Sequence, residues 1–481
     1  MNGTDGIAFL QFFFLAYFVL LNSVYLGLNL ISLRVVSRAM ERRALDALPS
    51  VYSGLELPVS LLLPAFNEEK SISDSVHSLL QLNYSEYEVI VINDGSMDGT
   101  LEVLKREFAL LPFPEVCQAR LKTRAVRAVY RSVAHPRLRV IDKENGGKAD
   151  ALNAGINDAR YPLFCGVDAD SVLQRDSLKR LARPMLEDAT VIAAGGSVRL
   201  VNGCRVSGGF LEEIGLPGRL LPLIQIVEYL RAFLFGRMGW VPLNALLIIS
   251  GTFGMFRKDR VVEAGGYRTD TVGEDMELVM RLHRLMIASG VPYRIVFVPD
   301  PICWTEAPED LGSLRRQRMR WQRGLAESLW SNRQLLFSRK AVAIGWLAVP
   351  FTLIFELLGP LVEVGGYLFM IAAWVLGLLS LQALAVFLFV AIGFGLLLSV
   401  SGLLLEEMSF HLYLRPRDLL KLCLALVAEN FGYRQINTVW RLLGLMAWLF
   451  GTRRQWGEMR RSAGWRQAPA ITSVSRGRGL P

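Results

Sequence analysis

Apolar and polar positions divide the 481-residue chain into an apolar start, a mixed middle and an apolar end. Residues Gly6 to Leu33 carry no charge. As a helix this stretch would extend about 42 Å, more than the ~30 Å hydrocarbon core of a bilayer, so it can cross with tilt. It is too long for a typical signal peptide, and no basic residue precedes it. Arg34, Arg38, Arg42 and Arg43 follow. The positive-inside rule then puts the N-terminus outside and residue 34 onward in the cytoplasm.

The second apolar block begins near Ala341. Ala341 to Gly377 is too long for one ordinary span and is interrupted by Glu356, Gly359, Pro360 and Glu363. It predicts either one long kinked helix or two helices broken near Gly359. Leu381 to Leu405 predicts a further span. Asp418 to Phe450 is less apolar, because Glu429, Asn430, Arg434, Gln435 and Arg441 lie inside it. That stretch reads either as an amphipathic helix in the interface, its polar face in water, or as one wall of a polar path for a polymer. After Gly451 come seven arginines and one acid, which predicts a cytoplasmic tail. With both flanks cytoplasmic, the C-terminal crossings number two or four.

Between residues 55 and 335 the pattern changes to short β-rich runs alternating with helical stretches. Val59–Leu63, Val89–Asn93, Leu138–Ile141, Leu163–Val167 and Val191–Ala194 are the expected strands. Polar turns bearing Gly or Asp follow the first four. This is the pattern of an open, mostly parallel α/β sheet with helices on its faces. Lys105–Arg139 is basic and irregular, and is expected to leave the sheet. Ligands of such sheets bind beyond the carboxyl ends of the strands. Asn67 and Glu68, Asp94, and Asp168 with Asp170 all fall at such ends. The chain has neither a GxGxxG fingerprint nor a GxxxxGK[ST] loop.

Composition sharpens this picture. At 52% hydrophobic and 20% charged, the chain is too apolar for an ordinary soluble domain and too charged for a pure membrane bundle. The net charge of +9 comes from basic residues flanking apolar segments. That is a membrane-surface pattern, and no aromatic platforms interleave it, which excludes a nucleic-acid-binding reading. Cys117, Cys165, Cys204, Cys303 and Cys423 show no metal-ligand or disulfide spacing and read as free thiols.

Five motifs carry candidate chemistry, each with a plainer explanation beside it. Asp168 and Asp170 end an apolar strand, two residues apart. They can converge on a hard cation that neutralises a diphosphate; alone, the pair is equally a turn or helix cap. Asp94 begins an Asp-Gly turn, and its functional role would be hydrogen bonding to a nucleotide's base or ribose. Gly146 and Gly147 precede Lys148 at a helix start, an arrangement that favours an anionic group. Glu274 and Asp275 open a helix, where acids are favoured anyway by the helix dipole; Asp275 could also deprotonate an acceptor hydroxyl. Gln317, Arg320 and Trp321 share one face of a helix expected over Glu309–Trp330. An indole beside polar donors suits a sugar, although a basic interfacial helix would carry the same arginines.

Taken in order, Pro64–Glu68, Asp94-Gly95-Ser96, Asn145–Asn153, Asp168-x-Asp170, Gly273-Glu274-Asp275 and Gln317–Trp321 resemble the processive family 2 glycosyltransferases. These include cellulose, chitin, hyaluronan and poly-N-acetylglucosamine synthases, and the last look most similar. The resemblance covers roughly residues 58 to 330 and the membrane arrangement. It implies a GT-A fold and inverting transfer from a UDP-sugar, with Mg²⁺ or Mn²⁺ as cofactor, to a polysaccharide or glycan acceptor. Asn67, Glu68, Asp94 and Lys148 would lie around the UDP. Asp168 would contact nucleotide or metal, and Asp170 the metal. Asp275 would be the base, with Glu274 beside it. Gln317, Arg320 and Trp321 would hold the acceptor end. Gly273 stands where the family usually has Thr, which weakens any inference about acceptor type.

The expected organisation is a transmembrane helix over 1–33, a basic cytoplasmic linker over 34–54 and a cytoplasmic GT-A domain over 55–335. C-terminal transmembrane or interfacial helices over 341–450 and a basic cytoplasmic tail over 451–481 complete it, with no further regulatory domain. The expected location is the plasma (inner) membrane, multi-pass, with the lipid bilayer and small membrane or export subunits as partners. Two rivals remain at this level. One is a non-processive enzyme adding a single sugar to a lipid or glycan. The other is an inactive scaffold, against which stands the full set of motif carboxylates.

Overall fold

The computed structural model describes residues 3–46, 56–114, 119–207, 209–413 and 415–451. The end of the basic linker, Cys117 and the tail after residue 451 lie outside the described residues. Twelve strands are described: β1 (Val59–Ala65), β2 (Tyr87–Asp94), β3 (Leu110–Pro112), β4 (Val126–Ser132), β5 (Leu138–Lys143) and β6 (Leu163–Val167) come first. Then follow β7 (Val172–Leu173), β8 (Val191–Leu200), β9 (Arg205–Ser207), β10 (Phe210–Glu213), β11 (Phe253–Arg257) and β12 (Arg294–Thr305). Ten form one sheet in the order β3-β4-β5-β2-β1-β6-β11-β8-β12-β7, and β9 pairs with β10 apart from it.

The sheet is mixed, which corrects the expectation of a mostly parallel one. β5, β2, β1 and β6 run parallel, as do β8 and β12. β11 is antiparallel to both β6 and β8. The reason is its approach: Ser250–Thr252 lie at the carboxyl ends of the parallel strands, so the strand that follows must run back through the sheet. Parts of the basic stretch Lys105–Arg139 also join the sheet, as the antiparallel strands β3 and β4 toward its edge. β4 buries Val129 and Ser132 and leaves Val126 and Arg127 exposed. An antiparallel edge tolerates that charge, and charge protects the edge from further pairing.

β1 and β2 are covered on both faces, which is why they read as unbroken apolar runs. The helix Lys148–Asp158 lies close against them. A Cβ at Gly155 would come within 3.1 Å of Leu62 and Ile92 side chains. Cys165, Cys204 and Cys303 are buried free thiols and Cys423 is an exposed one.

The N-terminal helix runs Gly3–Asp46. Its segment Gly6–Arg38 is, among the described residues, the one helix long and apolar enough by itself to cross a membrane. Ala343–Leu357 and Gly359–Val375 meet that standard together, bent by 44° where they join. The break falls where Gly359 and Pro360 predicted it. Aromatic contacts tie the N-terminal helix to these segments, including Phe14–Phe369 at 5.6 Å and Tyr17–Phe355 at 5.3 Å. Leu381–Leu388 and Phe394–Phe410 follow, linked by a wide helical turn. The stretch read as Asp418–Phe450 is two helices, Pro416–Ala428 and Arg434–Leu449. Between them Phe431 and Gly432 leave helical geometry. Glu429 and Asn430 are buried at that break.

Candidate active site

The carboxyl ends of β2, β5 and β6 bring the motifs together. Asp94, the last residue of β2, is buried, and its carboxylate accepts bonds from Lys143 Nζ (2.6 Å), Gly146 N (3.0 Å) and Gly147 N (2.7 Å). Asn145 Nδ2 donates to its carbonyl at 2.8 Å. Asp94 therefore shapes the glycine loop itself. Gly147 has φ +86°, a conformation that favours glycine, immediately before the helix start at Lys148. Asn67, with φ 56°, accepts from Met97 N at 2.9 Å, and its own N–H donates to Ser96 Oγ at 3.0 Å. Glu68 N donates to Thr100 Oγ1 at 2.9 Å, and Ser71 Oγ donates to the Glu68 carboxylate. The loops after β1 and β2 thus lock each other.

Lys148 forms an ion pair with Asp168 and donates to Gly251 O at 3.2 Å. Burial pulls its pKa down, but Asp168, Glu274 and Asp275 more than offset this, and the net shift is upward. Asp170 is buried, with Thr305 Oγ1 donating to it at 3.5 Å. Asp275 sits in the first turn of the helix Glu274–Ser289. Its carboxylate accepts from Met276 N (2.8 Å) and Gly251 N (3.2 Å). Gly251 thus touches both Lys148 and Asp275. Burial pushes the Glu274 carboxyl up to about 7; Lys148 opposes this and Asp275 adds to it.

Gln317, Arg320 and Trp321 lie on the helix Leu311–Ser331, capped by Asp310, whose side chain accepts from Ser313 N at 2.8 Å. Gln317 is buried and its Oε1 has no hydrogen-bond partner. Trp321 is 43% exposed and Arg318 lies over its ring, 4.5 Å from the centroid. All the expected site residues, from Asn67 to Trp321, line one cavity of 1850 Å³. It continues among the N- and C-terminal helices, where Asn22, Glu356, Glu363 and Thr438 also line it. Of the polar positions in the last helices, Glu429, Arg434 and Arg441 line it too.

Sequence inspection missed several wall residues. Gly251 and Thr305 belong to no motif, and Glu228, Arg231 and Arg237 sit on Leu220–Met238, an apolar helix with little periodic signal. Lys143, which pairs with Asp94 behind that wall, belongs to no motif either.

Among the described residues, no three His, Cys, Asp or Glu side chains gather as a metal site. Asp168 and Asp170 nevertheless offer two hard oxygen donors at one strand end, on the cavity wall. Mg²⁺ is typically held by one or two carboxylates, with phosphate and water supplying the rest. The donor set fits such an ion.

Residues 60–259 match the family described as Glycosyl transferase family 2, and residues 164–398 match Glycosyl transferase family group 2. The chain carries a family 2 glycosyltransferase domain. Poly-beta-1,6-N-acetyl-D-glucosamine synthase of Staphylococcus aureus (strain COL) is 31% identical over 274 residues, 56% of this chain and 55% of that protein. The Staphylococcus epidermidis protein of the same name is 29% identical over 278 residues, 57% of each chain. The chain thus spans little more than half the length of these relatives. Among solved structures, "Mannosyltransferase PcManGT from Pyrobaculum calidifontis in complex with GDP-Man and Mn2+" superposes with a TM-score of 0.55 at 16% identity. That superposition covers 92% of this chain and 100% of the other. The family 2 domain accordingly has a GT-A-like glycosyltransferase fold around its mixed sheet.

Proposed function

We propose that this chain is a membrane-integrated, inverting glycosyltransferase that moves a sugar from a UDP-sugar onto a growing polysaccharide. One observation carries the reading. The carboxylates Asp168, Asp170 and Asp275, the cation Lys148 and the indole of Trp321 share a cavity that runs on into the apolar helices. A site that met only a soluble acceptor would have no use for that extension.

In this reading residues 55–335 are the cytoplasmic catalytic domain of a multi-pass protein of the plasma membrane. The apolar helix Gly6–Arg38 and the bent pair after Ala343 support the membrane part. Asn67, Glu68, Asp94 and Lys148 surround the nucleotide, Asp94 by holding the loop that carries Gly146 and Gly147. Asp168 and Asp170 would hold Mg²⁺ or Mn²⁺, which supplies charge neutralisation for the departing diphosphate. Lys148, at a helix N-terminus, adds a fixed positive charge to the same region. Asp275 removes the proton of the acceptor hydroxyl, with Gly251 N–H orienting its carboxylate. In-line attack then inverts the anomeric carbon and UDP leaves. Gln317, Arg320 and Trp321 hold the acceptor end. Catalysis of this kind comes from positioning and from electrostatic stabilisation of the leaving group.

The test is UDP release by the purified protein across a panel of UDP-sugars with Mg²⁺ and Mn²⁺, followed by product sizing. The names of the staphylococcal relatives make UDP-N-acetylglucosamine the first donor to try. A polymer or ladder is expected. A single-sugar lipid product rejects polysaccharide synthesis, and no UDP release from any donor rejects the enzyme.

A further inference from the structure

The indole of Trp321 is held in place by a chain of contacts that leaves its own helix. Arg318, one turn before it, covers the ring at 4.5 Å from the centroid. Arg318 is buried, and its Nη2 donates to Glu228 Oε2 at 2.6 Å. The hydroxyl of Tyr433 donates to that same oxygen at 2.8 Å. Glu228 belongs to the helix Leu220–Met238, and Tyr433 to the break between Pro416–Ala428 and Arg434–Leu449.

That break is gripped at both ends by one helical turn. Three residues from Glu228, Arg231 donates to Glu429 Oε1 at 2.6 Å and to Ser399 Oγ at 2.7 Å. Residues three apart on a helix share a face, so Glu228 and Arg231 reach Tyr433 and Glu429 together. Between those two contacts the backbone departs from helix, with Phe431 at φ −112°, ψ 92° and Gly432 at φ +98°. Gly432 sits where φ is positive, which favours glycine. A bend of this kind would be free to move if nothing held it. Paired, hydrogen-bonded charges in a low-dielectric wall hold it strongly.

We propose that Glu228, Arg318 and Tyr433 form a brace that fixes the Trp321 indole against the helix break at Gly432. They are positioning residues: none needs to touch substrate. A planar guanidinium can lie flat on an indole where an ammonium cannot, so Arg318 cannot be replaced by Lys without losing the stack. The consequence for catalysis rests on Trp321 being the acceptor platform. A sugar stacking on the ring needs the ring at one angle, and the brace sets that angle from a helix break about 110 residues further along the chain.

The test uses the full-length protein in lipid nanodiscs and the variants Tyr433→Phe, Arg318→Lys and Trp321→Phe. The Trp321 contribution to acrylamide quenching is taken as the difference between a protein and its Trp321→Phe counterpart. In Tyr433→Phe and in Arg318→Lys that contribution is expected to rise, while UDP affinity stays unchanged. The Michaelis constant for an acceptor oligosaccharide is expected to rise at least about 2-fold, the lower end of the coupling between contacting groups. The same substitution made in a Trp321→Ala background should add nothing. Unchanged quenching overturns the brace whatever the kinetics. Raised quenching with an unaltered acceptor constant keeps the brace and rejects Trp321 as the acceptor platform.

Discussion

Gly273 and Gly324 pack backbone against backbone. A Cβ on Gly273 would lie 2.8 Å from the Cα, C and O of Gly324, and a Cβ on Gly324 would lie 2.8 Å from Gly273 Cα. Around this contact Glu327 accepts from Val272 N and Thr271 Oγ1, each at 2.9 Å, and Ser328 Oγ donates to Gly273 O at 3.2 Å. The helix carrying Trp321 therefore cradles the turn that launches Asp275. The glycine that stands where the resembling family usually has Thr has a steric reason here.

Restoring the family's residue should harm this protein. Gly273→Thr places a branched side chain against backbone that cannot rotate away. Overpacking of this kind typically costs about 1–3 kcal/mol, and the Asp275 turn should shift with it. A lower unfolding temperature together with reduced transfer is expected, with Gly324→Ala behaving alike. An unchanged melting curve in both would refute the contact.

Asp275→Asn keeps the shape and removes the proposed base. Loss of a general base typically slows turnover on the order of 10²- to 10⁴-fold. UDP binding, measured by calorimetry, should stay close to that of the unmodified protein. Full turnover in the variant would reject Asp275 as the base.

The raised Glu274 carboxyl predicts a pH-dependent stability. Its folded value of about 7 lies above the ordinary 4.5, because burial disfavours the charge. The folded protein then keeps a proton that the unfolded chain loses, so this contribution is complete below about pH 4.5. It is lost as pH rises through about 7. Glu274→Gln mimics the protonated state. The two proteins should unfold at similar temperatures near the acid end, and the variant should gain on the wild type toward pH 8. A gap that does not change with pH would contradict the assignment.

Metal dependence has a direct check. Chelation should stop transfer, and Mn²⁺ or Mg²⁺ should restore it. Asp170→Asn should raise the metal concentration needed for half-maximal rate, because one hard carboxylate donor is lost. Unimpaired turnover in excess chelator would remove the metal from the mechanism.

Much of the sheet end that carries the candidate site was legible in advance. Leu163–Val167 was expected as a strand and is β6, and Asp168 follows it because an apolar run entering a polar turn can end only at the sheet's rim. Val59–Leu63 and Val89–Asn93 each grew by a few residues at most. The strand expected at Val191–Ala194 continues to Leu200, through Gly195, Gly196 and Arg199. Arg199 is tolerated there because Glu406, from a distant helix, accepts its Nη2 at 2.8 Å.

Local patterns alone determined which residues sit at strand ends, where the first apolar helix lies and which motifs occur in what order. Each of these follows from neighbours within a few positions, through periodicity and turn chemistry. Tertiary structure decided the rest. The direction of β11, the contact of Gly273 with Gly324, and the joining of Glu228 to both Arg318 and Tyr433 relate residues far apart in the chain. Their energies come from close packing and from pairing charges away from water, and neither exists until the helices and the sheet have come together.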